Sequence, residues 1–135
     1  MIVIDCSAAV AIARDTEEGR AFQGLICPEE KIIASELYLA EVRNTFWKYV
    51  HAHKMPVEEA EFCIKKAISL VDKFIPLEDN ADEAFAEAVR QNHSVYDMFY
   101  LTLVRRTSGT LFSLDKKLIS LCEDMGLNAV VEIEI

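Results

Sequence analysis

Hydrophobic residues follow two rhythms along this chain. Short β-branched runs read as buried strands. Between them, apolar positions recur every three or four residues, as on one face of a helix. Residues 1–4, Met-Ile-Val-Ile, form the first strand, and Asp5 ends it. Ser7 is placed to cap a helix over 8–13. A second helix over 16–26 stops at Pro28, and residues 31–34, Lys-Ile-Ile-Ala, form the second strand. A long helix covers 36–53. Pro56 opens another that runs to about residue 73, with Ala60, Ile64, Ala67, Ile68 and Val71 on one face. Residues 74–77 are a brief extended piece. Helices follow from Asp79 or Asn80 to 91 and over 95–106, the second apolar nearly all round and ended by Gly109. Residues 110–114 form a further strand, 115–125 a helix closed by Gly126, and 129–133 a last strand. Strands separated by helices imply crossover connections and a mostly parallel sheet. The expected class is α/β: a three-layer α/β/α domain around a short central sheet of about four or five strands.

Composition narrows this picture. At 135 residues the chain is expected to form one domain over 1–135. Four Gly and three Pro leave no linker-rich or low-complexity segment, and no internal repeat is present. No apolar run approaches the roughly 18 residues of a membrane span, so no membrane association is expected. The first apolar run has no basic residue before it and is interrupted by Asp5, unlike a secretory signal. Cys6, Cys27, Cys63 and Cys122 are far apart, with no C-x-x-C pair. That spread speaks against zinc and suits reduced thiols in a cytoplasmic protein. With 14 Lys and Arg against 23 Asp and Glu, the net charge is −9. A protein that coats nucleic acid by bulk charge is thereby excluded, but nucleic acid as a substrate is not.

Four acids stand out from the rest by their apolar surroundings. Asp5 follows the first strand and Asp115 follows the strand at 110–114, both at carboxyl ends, where open parallel sheets bind ligands. Glu41 is the only charge in Leu-Tyr-Leu-Ala-Glu-Val over 37–42, and Asp97 the only charge between 94 and 104. A carboxylate in apolar surroundings needs a cation, hydrogen bonds or a metal to offset its desolvation. Neither Glu41 nor Asp97 has Lys or Arg at helical spacing. One shared divalent cation would compensate several acids at once, and oxygen-only ligands favour Mg²⁺ or Mn²⁺. Plainer roles exist for each. Asp5 and Asp115 can cap the helices that follow them, Asp97 can face a helix dipole, and Glu41 can pair with a distant Lys. The remaining acids, Glu87 among them, read as surface groups.

Asp5-x-Ser7 after an N-terminal strand, Glu41-x-x-Asn44 on a long helix, Tyr96-Asp97 opening a helix, and Ser113-x-Asp115 after a strand resemble the PIN domain in order and approximate spacing. Within that superfamily the chain looks most like the small VapC-type toxins, over essentially its whole length. The resemblance implies a metal-dependent endoribonuclease using Mg²⁺ or Mn²⁺, held inactive by a cognate antitoxin and commonly a homodimer. It assigns Asp5, Glu41, Asp97 and Asp115 to the acidic quartet as metal-binding and catalytic residues. Ser7 and Ser113 fall at hydroxyl positions near the metal, and Asn44 at a polar position one turn after the second acid. Ser7 can also serve as a helix cap, and Ser113 can bond backbone only.

An RNA substrate would have to meet local basic positions, since phosphate contacts carry most non-specific affinity. The candidates are Lys48, His51, His53 and Lys54, then Arg105 with Arg106, then Lys116 with Lys117. His51, His53 and His93 read as surface histidines. Phe46, Trp47, Tyr49, Phe99 and Tyr100 read as core or subunit-interface aromatics. Other acid-lined phosphotransfer folds fit less well. Ser7 stands where a haloacid-dehalogenase-like phosphatase needs its second Asp, a receiver domain needs paired acids near the first strand, and no P-loop is present. The alternatives left open are a catalytically silent PIN-like binding module and a PIN nuclease outside a toxin–antitoxin pair.

Overall fold

The computed structural model describes residues 1–134. In chain order the elements are β1 (Ile2–Ile4), α1 (Cys6–Ala13), α2 (Glu17–Leu25), β2 (Ile32–Ser35), α3 (Leu37–His51), α4 (Val57–Ser69), β3 (Lys73–Ile75), α5 (Leu77–Gln91), α6 (Val95–Thr107), β4 (Thr110–Phe112), α7 (Lys116–Asp124) and β5 (Asn128–Ala129). The strands form one sheet, in the order β3-β2-β1-β4-β5. Every pairing is parallel, with Val3 opposite Ile33 on one side and Leu111 on the other.

Side chains alternate across the central strand, and this alternation builds two cores. Ile2, Ile4, Ile32 and Ala34 face a layer made by α1, α2, α3 and α4, with Phe22, Tyr38, Val42 and Phe46 among its buried residues. Val3, Ile33 and Leu111 face the opposite layer, where Met98, Leu101 and Val104 of α6 pack with Leu118 and Cys122 of α7 and Ala84 of α5. The result is the expected three-layer α/β/α arrangement around five strands. β1 is buried throughout because it is central, so its sequence is uniformly apolar.

Several local expectations shift. The cap of α1 is Asp5, whose side chain accepts from Ala8 N, so Ser7 lies inside the helix rather than capping it. α5 begins at Leu77, ahead of the expected start. Asn80 interrupts it with non-helical angles while its buried side chain donates to Phe99 O and Thr102 Oγ1. The left-handed residue that ends α6 is Ser108, at φ 52°. Gly109 serves a different need: a Cβ there would lie 2.8 Å from Met1 O, so only glycine lets β4 start this close to β1. The last strand is shorter than the run 129–133 suggests and pairs only at Asn128 and Ala129.

The chain leaves β1 to one side through β2 and β3, then returns to the other side through β4. The connections therefore diverge above the junction of β1 and β4. An open parallel sheet has its binding crevice at such a point, beyond the carboxyl ends of the strands. Asp5 follows β1 and Ser113 follows β4 at that edge.

Candidate active site

Above the β1–β4 edge lies an open cavity of about 500 Å³. Asp5, Ser7, Glu41, Asp97 and Asp115 all line it, so the fold brings the four acids to one place from four separate segments. Ser113 sits beneath, buried, on the floor.

Asp5 is the most enclosed of the four, 6% exposed. Ser7 Oγ donates to its Oδ1 at 2.7 Å and Ser113 Oγ to its Oδ2 at 2.6 Å, while Ala8 N donates to Oδ1 at 3.1 Å. Both carboxylate oxygens are thus held by hydroxyls from β1–α1 and β4–α7. Burial still dominates and pushes the Asp5 carboxyl up to about 6, with Glu41 adding repulsion against the three hydrogen bonds. Glu41, half-buried on α3, accepts from Tyr100 Oη at 2.5 Å. Burial raises its carboxyl as well, and nearby Asp97 adds to the rise against the Tyr100 bond. Asp97, in the first turn of α6, is raised by burial and by Asp115, with His93 and Lys117 opposing. His93 Nδ1 lies 3.1 Å from Asp97 Oδ2, an ion-pair distance without hydrogen-bond alignment. Asp115 is the exposed member. Its Oδ1 accepts from Lys117 N and Leu118 N at 3.0 and 3.3 Å, capping α7.

Repulsion therefore runs in series: Asp5 feels Glu41, Glu41 feels Asp97, and Asp97 feels Asp115. Among the described residues, no Lys or Arg makes an ion pair with any of the four. A row of like charges without a Lys or Arg ion pair in a concave site is the electrostatic setting that a cation relieves. The donor set is carboxylate and hydroxyl oxygen, which fits a hard divalent ion. As they stand, no three Asp, Glu, His or Cys side chains among the described residues converge closely enough to share one ion directly. The fit is therefore to an ion such as Mg²⁺, which keeps several waters and takes few carboxylates directly.

Asn44 does not join this group. It is exposed, and the α3 residues lining the cavity are Glu41, Thr45 and Tyr49. Thr45 Oγ1 donates to Glu41 O and approaches Cys6 Sγ at 3.4 Å. Tyr100, expected as a core aromatic, is buried but turns its hydroxyl to Glu41; its position three residues after Asp97 was the available signal. His93, expected at the surface, stands beside Asp97. Arg105 and Arg106 pair with Glu83, Glu87 and Asp79 O on α5 and do not line the cavity. Glu87 itself is 2% exposed, where its sequence context suggests a surface group. Arg14, at the far end of the cavity, carries no signal in its spacing that separates it from a surface residue.

Comparison with known proteins reaches the same fold. Ribonuclease VapC3 of Pyrobaculum aerophilum is 25% identical over 120 residues, spanning 87% of this chain and 91% of that protein. The crystal structure of PAE2754, also from Pyrobaculum aerophilum, superposes with a TM-score of 0.73 at 22% identity, covering 96% of this chain and 83% of the other. Mycobacterium tuberculosis VapC20, described as a sarcin-ricin loop cleaving toxin, superposes with a TM-score of 0.68 at 15% identity over 99% of this chain and 100% of its own. No helix among the described residues is long and apolar enough to cross a membrane. The model of the PIN domain matches residues 2–124, and the chain belongs to the PIN domain family.

Proposed function

We propose that this protein is a divalent-metal-dependent endoribonuclease and the toxin of a toxin–antitoxin pair. The observation that carries the reading is the row Asp5–Glu41–Asp97–Asp115 around one cavity, mutually repelling and without a Lys or Arg ion pair. The ribonuclease name of its Pyrobaculum aerophilum relative supports the substrate class. When bound, Mg²⁺ or Mn²⁺ would supply positive charge to the scissile phosphate and make a water nucleophilic near neutral pH.

The side chains divide the remaining work. Asp5, Glu41 and Asp97 would hold the cation, directly or through its bound waters. Ser7 and Ser113 fix both oxygens of Asp5, and the Tyr100 hydroxyl fixes Glu41, so these donors are oriented before substrate arrives. Asp115 commits Oδ1 to the cap of α7. Its Oδ2 stays available at the exposed rim to take a proton from the attacking water. A protein partner that silences the enzyme would bring a basic side chain into the same acids. Exposed Trp47, Phe62, Phe85 and Val89 offer apolar surface for that partner or for a second copy in a homodimer.

The distance between the acids favours one second reading, a PIN module that binds but does not cut, because no three of them meet as they stand. Cleavage of total cellular RNA by purified, partner-free protein decides between the two. Discrete fragments are expected with Mg²⁺ or Mn²⁺ and not with EDTA, and Asp97→Asn should lower the rate at least about a hundredfold. Folded protein that cuts nothing with either metal would favour the binding module.

A further inference from the structure

The cavity extends well beyond the acids, and its two long walls are helix faces in register. On α1 the lining residues are Cys6, Ser7, Val10 and Ala11, followed by its C-cap Arg14; on α3 they are Glu41, Thr45 and Tyr49, spaced four apart; Thr16 and Glu18 line it as well. The helices run side by side in the same direction, since Cys6 meets Thr45 near one end and Arg14 meets Tyr49 at the other. The cavity is therefore a trench. Eight residues of α3 separate Glu41 from Tyr49, about 12 Å at 1.5 Å per residue. At about 3.4 Å per stacked nucleotide, that is the length of three to four nucleotides.

Among the described residues, Arg14 is the only Lys or Arg lining this trench. Its Nη1 donates to Tyr49 Oη at 2.8 Å, and its guanidinium carbon sits 4.5 Å from the Tyr49 ring centroid. Tyr49 is braced in turn by the buried ring of Phe46, 5.9 Å away. Arg14 is exposed, and no carboxylate among the described residues forms an ion pair with it. A guanidinium held by an aromatic ring, with most of its N–H groups unused, is suited to fork onto phosphate oxygens. An acidic protein that binds a polyanion needs such a cation where the strand enters.

We infer that Arg14, positioned by Tyr49, binds an RNA phosphate three to four nucleotides from the scissile bond, so that the strand lies along the α1–α3 trench. This rests on the ribonuclease reading but concerns binding, and the two can fail separately.

The test places Arg14→Ala, Arg14→Lys and Tyr49→Phe in an Asp97→Asn background, so that RNA survives. Affinity for labelled single-stranded and hairpin RNAs is read by fluorescence anisotropy across a salt series. Arg14→Ala should weaken binding about tenfold and reduce the salt slope by about one counterion. Arg14→Lys should restore only part of the affinity, and Tyr49→Phe should lose about threefold. In the otherwise native protein, Arg14→Ala should raise KM for RNA with kcat and Mn²⁺ affinity unchanged. Equal affinity and slope in Arg14→Ala, or no RNA binding by the Asp97→Asn protein, would overturn the inference. RNA cleavage that ignores Arg14 would overturn it while leaving the nuclease intact. Arg14-dependent RNA binding without any cleavage by native protein would sustain it and remove the nuclease.

Discussion

Asp5 sets folding against function within one side chain. Its carboxyl is pushed up to about 6 from an ordinary value of 3.8, chiefly by burial. The fold thus favours the protonated form. The group is neutral in both folded and unfolded chains below its ordinary value, and the native state is penalised progressively as pH rises through six. Asp5→Asn should therefore stabilise the metal-free protein at neutral pH, by up to about 3 kcal/mol, and change little at acid pH. Urea unfolding at both pH values checks this; an equally or less stable variant at neutral pH would contradict it. Glu87 has the opposite sign. Arg105 hydrogen-bonds it and holds its carboxyl low against the penalty of burial, with Arg90 also at ion-pair distance. Its contribution is present above the ordinary carboxyl range and is lost as pH falls through the lowered value. Glu87→Gln should cost about 1–3 kcal/mol at neutral pH, shrinking in acid, by the same unfolding measurement. Asp5 was legible in the sequence because a strand visibly ends on it. Glu87 was not, because the partner that compensates it lies 18 residues away on another helix.

At the scale of elements, α1 carries the most. Its N-terminus presents Asp5 and Ser7, one stripe walls the trench, and its other faces pack into the core. α2 lies close enough that a Cβ on Gly19 would sit 2.1 Å from Ala11 O, a backbone atom that cannot step aside. Gly19→Ala is expected to destabilise by about 1–3 kcal/mol and to displace α1. Loss of metal-dependent activity beyond the loss of Tm would mark that displacement, whereas an unchanged Tm would show that the two helices are free to separate. Helix positions were readable from period, from the stops at Pro28 and Gly126 and from the start at Pro56. Helix ends were less so. Ser108 takes the left-handed backbone beside Gly109, which the pattern marks as the breaker, and Asn80, expected at a helix start, interrupts one instead. The choice between Asn44 and Thr45 shows the same limit, since both follow Glu41 by about one turn and only the packing of α3 decides which one faces the cavity.

For the molecule as a whole, a central strand with parallel neighbours on both sides creates one crevice, and all four acids reach it. Their order along the chain, with Asp5 and Asp115 at strand ends and Glu41 and Asp97 alone in apolar helical runs, made the fold and the four candidate acids legible in the sequence. The trench, the Arg14–Tyr49 pair and the Tyr100–Glu41 bond were not, because each joins residues at least 35 positions apart. On the nuclease reading, the acidic surface, at a net charge of −9, leaves affinity for a polyanion to the site instead of to the whole molecule. The central claim is that these carboxylates exist to hold a divalent ion. Titration of metal-free protein with Mn²⁺ at neutral pH, followed by electron paramagnetic resonance of the free ion, tests it directly. Wild-type protein should remove Mn²⁺ from solution and Asp97→Asn should weaken this at least about tenfold. No uptake by the folded wild type, or equal uptake by the variant, would contradict the claim.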